Sequence, residues 1–168
     1  RWPVATLLDW HARLAGHGGW LVVDEAFMDA TPDGSLTPDA GRPGLILLRS
    51  LGKFFGLAGA RVGFLYAESR LQERLKARLG PWTLAGPSRL IARQALADTA
   101  WQTSARASLA LAGARLAALL TEQGLTPAGG TSLFQWVLTP RAGQIQIALA
   151  QQAILVRRFA QPASLRFG

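Results

Sequence analysis

Lys53 is one of two lysines in a chain that carries sixteen arginines. It stands in the run Ser50-Leu51-Gly52-Lys53-Phe54-Phe55-Gly56-Leu57-Ala58-Gly59-Ala60-Arg61-Val62-Gly63-Phe64. Apolar residues and glycines flank the amine, which predicts a buried lysine rather than a solvated surface cation. Burial strips water from the charged form, and a neutral amine attacks carbonyl groups. The chemistry this residue offers is that of a Schiff-base lysine. Ser50 before it and Arg61 after it add a hydroxyl and a guanidinium able to hold a phosphate, the arginine through bidentate hydrogen bonds. The intervening glycines let backbone approach a ligand closely.

A second group that could do chemistry is Asp24, directly after the apolar run Trp20-Leu21-Val22-Val23. That run reads as a short parallel strand covered on both faces, and ligands of open parallel sheets bind beyond the carboxyl ends of the strands. A carboxylate there would hold a pyridine nitrogen protonated and make the ring an electron sink. Taken alone, an aspartate at a strand end reads more simply as a turn residue or helix cap. Beside the Lys53 run the balance moves to the ligand: a carbonyl, a pyridine and a phosphate together describe pyridoxal phosphate. Gly52-Lys53 is not a P-loop, because that motif needs glycine at position 47 and serine or threonine at 54, which are leucine and phenylalanine. No GxGxxG occurs either, so nucleotide binding is disfavoured.

The elements that must position these groups follow from periodicity and breakers. Pro3 to Gly16 reads as a helix, with Pro3 suited to its first turn. Asp29 to Gly44 is rich in turn residues. Leu45 to Leu48 and Arg61 to Tyr66 are expected as further buried strands, with the Lys53 loop between them. Glu68 to Leu79 is an amphipathic helix. Ser88 to Glu122 is helical in composition, with Ser88 as N-cap and a break expected near Thr103 or Gly113 because of its length. Ser132 to Leu138 reads as a strand, Ala142 to Gln152 as a helix, and Ile154 to Phe159 and Ser164 to Phe167 as strands. A boundary near residue 110 would separate an α/β part, residues 1–110, from a small α+β part, residues 111–168.

Composition bounds the rest. The chain has 168 residues, 49% apolar, enough for a packed core. No apolar run reaches the roughly 20 residues of a membrane-spanning helix. Without cysteine there are no disulfides or thiolate metal sites; no metal is expected, and a cytoplasmic location is. The chain begins at Arg1 with nothing like a signal peptide, and reads as cut from a longer protein. A net charge of +8 invites a nucleic-acid partner. The arginines are scattered singly along helices, however, and the tryptophans are not interleaved with basic clusters. Neither nucleic acid nor membrane is expected as a partner. His11 and His17 have no partner pattern and read as surface or structural residues.

Asp24-Glu25-Ala26-Phe27 followed by the Ser50 to Gly63 run resembles the aspartate-aminotransferase superfamily, the fold type I pyridoxal-phosphate enzymes, in its histidinol-phosphate aminotransferase-like branch. The resemblance implies that Asp24 pairs with the pyridine nitrogen, Lys53 carries the cofactor, and Ser50 and Arg61 bind its phosphate. Within that branch three segments are similar to the threonine-phosphate decarboxylases of the cobalamin pathway: Leu79 to Pro87, Gly129 to Phe134, and Ile154 to Phe159 with Ser164 to Gly168. Phe27 agrees with this, since histidinol-phosphate aminotransferases usually carry tyrosine there. The resemblance implies Arg166 as a clamp for a substrate anion, carboxylate or phosphate, and Arg157 as a second contact, although a solvated strand-end arginine is an equal reading of the latter.

The implied fold is the C-terminal part of a large domain, a mostly parallel sheet with helices, followed by a small α+β domain incomplete at its C-terminus. The family's N-terminal half is not represented, so these residues alone are not expected to complete an active site. The implied activity is decarboxylation of O-phospho-L-threonine to 1-amino-2-propanol phosphate, by a homodimer. A histidinol-phosphate-type aminotransferase is the alternative. A non-catalytic basic binding module is a distant third.

Overall fold

The computed structural model describes residues 2–168. The chain divides into two compact units, the first ending at Thr99 and the second running from Ala100 to Gly168. The sequence reading puts a boundary within the long helix near residue 110, and that helix is Thr99–Glu122.

The first unit is built on a three-stranded sheet of β1 (Leu21–Asp24), β2 (Leu45–Ser50) and β3 (Gly63–Tyr66), in that order. β1 and β2 are parallel, with Leu21 opposite Leu45 and Asp24 opposite Leu48. β2 and β3 are antiparallel, with Ser50 opposite Gly63. The 51–62 connection folds back on itself and holds one 3-10 turn, Ala58–Ala60, with no crossover helix, which accounts for that reversal: a parallel return needs a crossover, usually helical. The link from β1 to β2 is longer and consists of three 3-10 turns, Met28–Ala30, Pro32–Gly34 and Thr37–Asp39.

Alternation along the strands decides what each sheet face meets. Leu21, Val23, Leu45 and Leu47 pack against Leu36 and Ala40 of the link and against Val4, Leu7 and Leu8 of helix α1 (Val4–Ala15). Leu36, Leu45 and Leu47 are almost completely buried, each contributing roughly 1.5–3 kcal/mol. The opposite face is not covered to the same degree: Val22 is 55% exposed. β1 is therefore not the strand buried on both faces that its apolar run suggested. His11 is buried, and its Nε2 lies 2.9 Å from the carbonyl oxygen of Pro43, which ties α1 to the turn before β2.

Helices α2 (Ser69–Leu79) and α3 (Gly86–Ala97) complete the unit. α3 is capped at Ala85 with Pro87 in its first turn, so Ser88 is an interior residue rather than the N-cap. The long helical stretch breaks at Asp98, which leaves helical geometry (φ −81°, ψ 75°), and not at Thr103 or Gly113. Aspartate and threonine compete with the helical backbone for hydrogen bonds, and Asp98-Thr99 is where both occur in succession.

The second unit begins with α4 (Thr99–Glu122), which a short irregular connection after Gly124 joins to an antiparallel sheet. Its strands are β4 (Gly129–Thr131), β5 (Phe134–Leu138), β6 (Arg157–Phe159) and β7 (Ser164–Phe167), ordered β4-β5-β7-β6. Helix α5 (Ala142–Gln151) joins β5 to β6. Val137, Leu165 and Phe167 of the sheet pack with Leu120, Ala142 and Val156, flanked by Leu116, Ile145 and Leu149. Gly113 does not interrupt α4. A Cβ there would stand 3.1 Å from the Cα of Ser132, so glycine serves close approach of the helix to the turn between β4 and β5. Among the described residues no helix is long and apolar enough to cross a membrane.

Candidate active site

The 51–62 loop is pinned by its apolar members and presents its polar ones. Leu51, Phe54, Phe55 and Val62 are buried, and the two phenylalanine rings meet edge to face at 5.0 Å. Backbone bonds from Leu57 N–H to Leu51 O (2.9 Å) and from Gly56 N–H to Lys53 O (3.0 Å) close the loop on itself. Lys53 is exposed. The sequence argument for a buried amine does not hold in this chain: in a tight loop, neighbours that dive into the core leave the residue between them outside. Its Nζ lies 5.3 Å from the ring centroid of Phe27, within cation–π range.

Ser50, Lys53 and Arg61 line one cavity of about 260 Å³, together with Gly52, Ala58 and Gly63. Ser50 Oγ accepts a hydrogen bond from Gly52 N–H at 3.0 Å. A Cβ on Gly52 would fall 3.2 Å from that oxygen and 3.4 Å from Ala58 Cα, so the missing side chain keeps the cradle open. Arg61 adopts left-handed backbone geometry (φ 53°, ψ 43°) and Nη1 donates to Ala58 O at 3.3 Å. For a non-glycine residue that geometry costs roughly 1–2 kcal/mol, and such strain concentrates at functional positions. A hydroxyl, a guanidinium and a cradle a Cβ would fill suit a phosphate, and an accessible amine stands on the same wall.

Asp24 does not line this cavity. It ends β1, with Oδ1 accepting from Ala26 N–H at 2.9 Å, the strand-end turn geometry. Its strand end lies beside that of β2, and Phe27, three residues on, reaches Lys53.

Sequence reasoning missed a buried polar cluster behind these strand ends. Arg49 Nη1 donates to Glu25 Oε2 (3.0 Å), Ser35 Oγ (3.1 Å) and Thr37 Oγ1 (3.2 Å), and Nη2 donates to Asp29 Oδ1 (2.5 Å). Glu25 also accepts from Ser35 Oγ and Leu36 N–H, both at 2.7 Å. The Glu25 side chain is 1% exposed and that of Arg49 16%. Burial works against the charged guanidinium, but the hydrogen bonds and charges of Asp29 and Glu25 outweigh it and raise the Arg49 pKa. The available signal was an acid and a base in adjoining strand ends, each next to a candidate site residue.

In the second unit Arg157 and Arg166 face each other across the β6–β7 ladder. With Arg158, Gln146 and Leu155 they line a cavity of about 440 Å³. Arg166 is half-buried, its guanidinium 5.3 Å from the Phe134 ring; Arg157 is exposed, 5.4 Å from the Phe159 ring. Like charges directly opposite in a sheet repel. Among the described residues neither has an acidic partner, and Glu122 is the one acidic residue from position 100 onward. The arrangement can receive an anion.

The chain is 54% identical over 164 residues to a threonine-phosphate decarboxylase of Pseudomonas aeruginosa, covering 98% of this chain and 50% of that protein. It is 41% identical over 167 residues to a Sinorhizobium threonine-phosphate decarboxylase, covering 98% and 49%. The chain thus spans about half the length of the curated relatives it matches. A solved histidinol-phosphate aminotransferase from Sinorhizobium meliloti, in complex with pyridoxal-5'-phosphate, superposes with a TM-score of 0.86 at 23% identity, over 98% of this chain and 48% of that one. The sequence profile of the family described as aminotransferase class I and II matches residues 2–168, and the chain belongs to that family.

Proposed function

We propose that this chain is part of a pyridoxal-phosphate-dependent decarboxylase acting on O-phospho-L-threonine. The first unit then belongs to the large cofactor domain and the second to the small domain. The observation that carries the reading is the convergence of Ser50, Lys53 and Arg61 on one cavity at the end of β2, beside Asp24 at the end of β1. In that reading Ser50 and Arg61 hold the cofactor phosphate, Asp24 holds the pyridine nitrogen protonated, and Lys53 is the covalent attachment point. The cofactor supplies an electron sink for the bond broken at the substrate Cα.

The choice of bond belongs to the chain's own residues. Arg166 and Arg157 would bind the substrate's anions and so orient the substituents of Cα. Holding the carboxylate for cleavage would make carbon dioxide the leaving group. Lys53, or a water it positions, then delivers the proton that Cα needs. Positioning of this kind can account for several powers of ten in rate. Similarity to the threonine-phosphate decarboxylases supports the decarboxylating outcome.

The test is carbon dioxide release from O-phospho-L-threonine by the full-length protein with pyridoxal phosphate and no keto acid, beside Lys53→Ala. Release that the variant abolishes is expected. Turnover only of histidinol phosphate, and only with 2-oxoglutarate present, would move the protein to the aminotransferases.

A further inference from the structure

We propose that Arg49 is a positioning residue for the site built from Asp24, Ser50 and Lys53. Its guanidinium, gripped by Glu25 and Asp29 behind the sheet, fixes how the two strand ends stand relative to each other. The inference rests on the cofactor reading above and adds a residue that touches neither cofactor nor substrate.

The register supplies the first step. Asp24 is opposite Leu48 in the parallel ladder, so Asp24, Leu48 and Ser50 share one face of the sheet. Arg49 shares the other with Leu45 and Leu47, the residues that meet α1 and Leu36. Arg49 and Glu25 are each the immediate chain neighbour of a site residue, Ser50 and Asp24, but they face away from it. Any movement of either buried side chain is therefore passed through one peptide unit to a group on the working face.

The second step is what holds the chain where the ladder stops. The last backbone bond between these strand ends runs from Glu25 N–H to Leu48 O at 2.8 Å. Beyond it, side chains take over. Both oxygens of the Glu25 carboxylate are engaged, and one guanidinium gathers Glu25, Asp29, Ser35 and Thr37. The segment from 25 to 37 is thereby strapped back onto β2. Phe27 rides on this strap with its ring against Lys53, so the strap's placement is felt at the amine as well as at Asp24. A lysine at position 49 would keep the charge but not the planar fork that reaches two carboxylates at once.

A purely structural role makes a different forecast. The network would then govern how stably the protein folds and leave the site of each folded molecule unchanged. The full-length protein is compared with Arg49→Lys and with the double variant Arg49→Met/Glu25→Gln. The latter leaves no charge at position 25 without its partner, keeps an acceptor for Leu36 N–H, and takes the guanidinium from Asp29. Three quantities are measured: the pyridoxal-phosphate dissociation constant by titration, the pH dependence of the bound chromophore's absorbance, and the melting temperature of the cofactor-free protein.

Arg49→Lys is expected to weaken cofactor binding by about tenfold or more and to displace the chromophore's pH titration. The double variant, which removes the guanidinium altogether, is expected to bind cofactor as weakly as Arg49→Lys, whatever its melting temperature. Parental affinity and parental titration in both variants, whatever their melting temperatures, overturn the inference. So does a double variant that recovers affinity along with stability, and if Arg49→Lys does not fold, the double variant alone decides. A parent that binds no pyridoxal phosphate overturns the functional reading itself, and this inference with it.

Discussion

Arg49 in the first unit and Arg166 in the second are the same residue type on the penultimate or nearby position of a strand, and they live in opposite electrostatic worlds. Arg49 is gripped by two carboxylates and two hydroxyls. Arg166 stands across the ladder from another arginine, in a cavity that a third arginine also lines, and has no acidic partner among the described residues. A guanidinium that has spent its donors on internal acids is committed to holding the chain together. One kept among its own charge, over an aromatic ring, keeps its donors available for a ligand. The difference teaches that local charge balance, rather than residue type, separates an arginine of the scaffold from an arginine of the site.

The largest effect expected from this contrast is on folding. Glu25→Ala in the full-length protein leaves Arg49 with Asp29 as its one carboxylate partner and removes the acceptors for Ser35 Oγ and Leu36 N–H. Breaking a buried pair from one side costs about 3–5 kcal/mol, which urea denaturation would register as a lower midpoint at unchanged slope. Arg166→Gln should move the same midpoint by less than about 1 kcal/mol, or raise it, because a repulsive cross-strand contact is relieved. Equal losses in the two variants would break the comparison. Catalysis should invert the order for Arg166→Gln: loss of charge-assisted bonds to a substrate anion is worth about 1.5–3 kcal/mol, roughly 10- to 150-fold in kcat/KM.

A smaller effect sharpens it. An anion that binds the folded state stabilises by mass action, about 2.7 kcal/mol at a hundred times its dissociation constant. Inorganic phosphate should therefore raise the melting temperature of the cofactor-loaded protein, where the Ser50–Arg61 cradle is already filled. The rise should shrink in Arg157→Gln/Arg166→Gln. An undiminished rise in that variant would mean that the β6–β7 cavity is not where the anion goes.

How much of this was legible beforehand follows the same physics. The order of elements could be read because breakers and short apolar runs are local signals: Ser164 to Phe167 and the helix beginning at Ala142 fall where periodicity puts them. Ser50, Lys53 and Arg61 could be picked out together for the same reason, since the end of β2 and the loop after it carry all three. Properties that depend on what packs against a residue from far along the chain were not. Flanking phenylalanines predicted a buried Lys53, yet they turn inward and leave it outside. The direction of β3 depends on how the 51–62 loop folds back rather than on the strand's own residues. Gly113 looked like a helix break and is instead a contact with Ser132, nineteen positions on. Arg49 was invisible as one of sixteen arginines, because its meaning lies in Glu25 and Asp29, 24 and 20 residues earlier.

The smallest effect is the one that tests the nature of the Arg49 grip. Its folded pKa is raised above arginine's ordinary value. For a group raised on folding, the stabilisation is fully present below the unfolded pKa and is lost only as pH climbs through the folded one. Arginine's unfolded value already lies beyond about 12, so the whole window of loss is more alkaline than any ordinary buffer. The stability difference between the parent and Arg49→Met, measured by urea denaturation, should accordingly stay constant from pH 7 to pH 10. A difference that shrinks over that interval would show that a group titrating at lower pH carries the grip. The contrast between a committed and an available guanidinium would then have to be redrawn around that group.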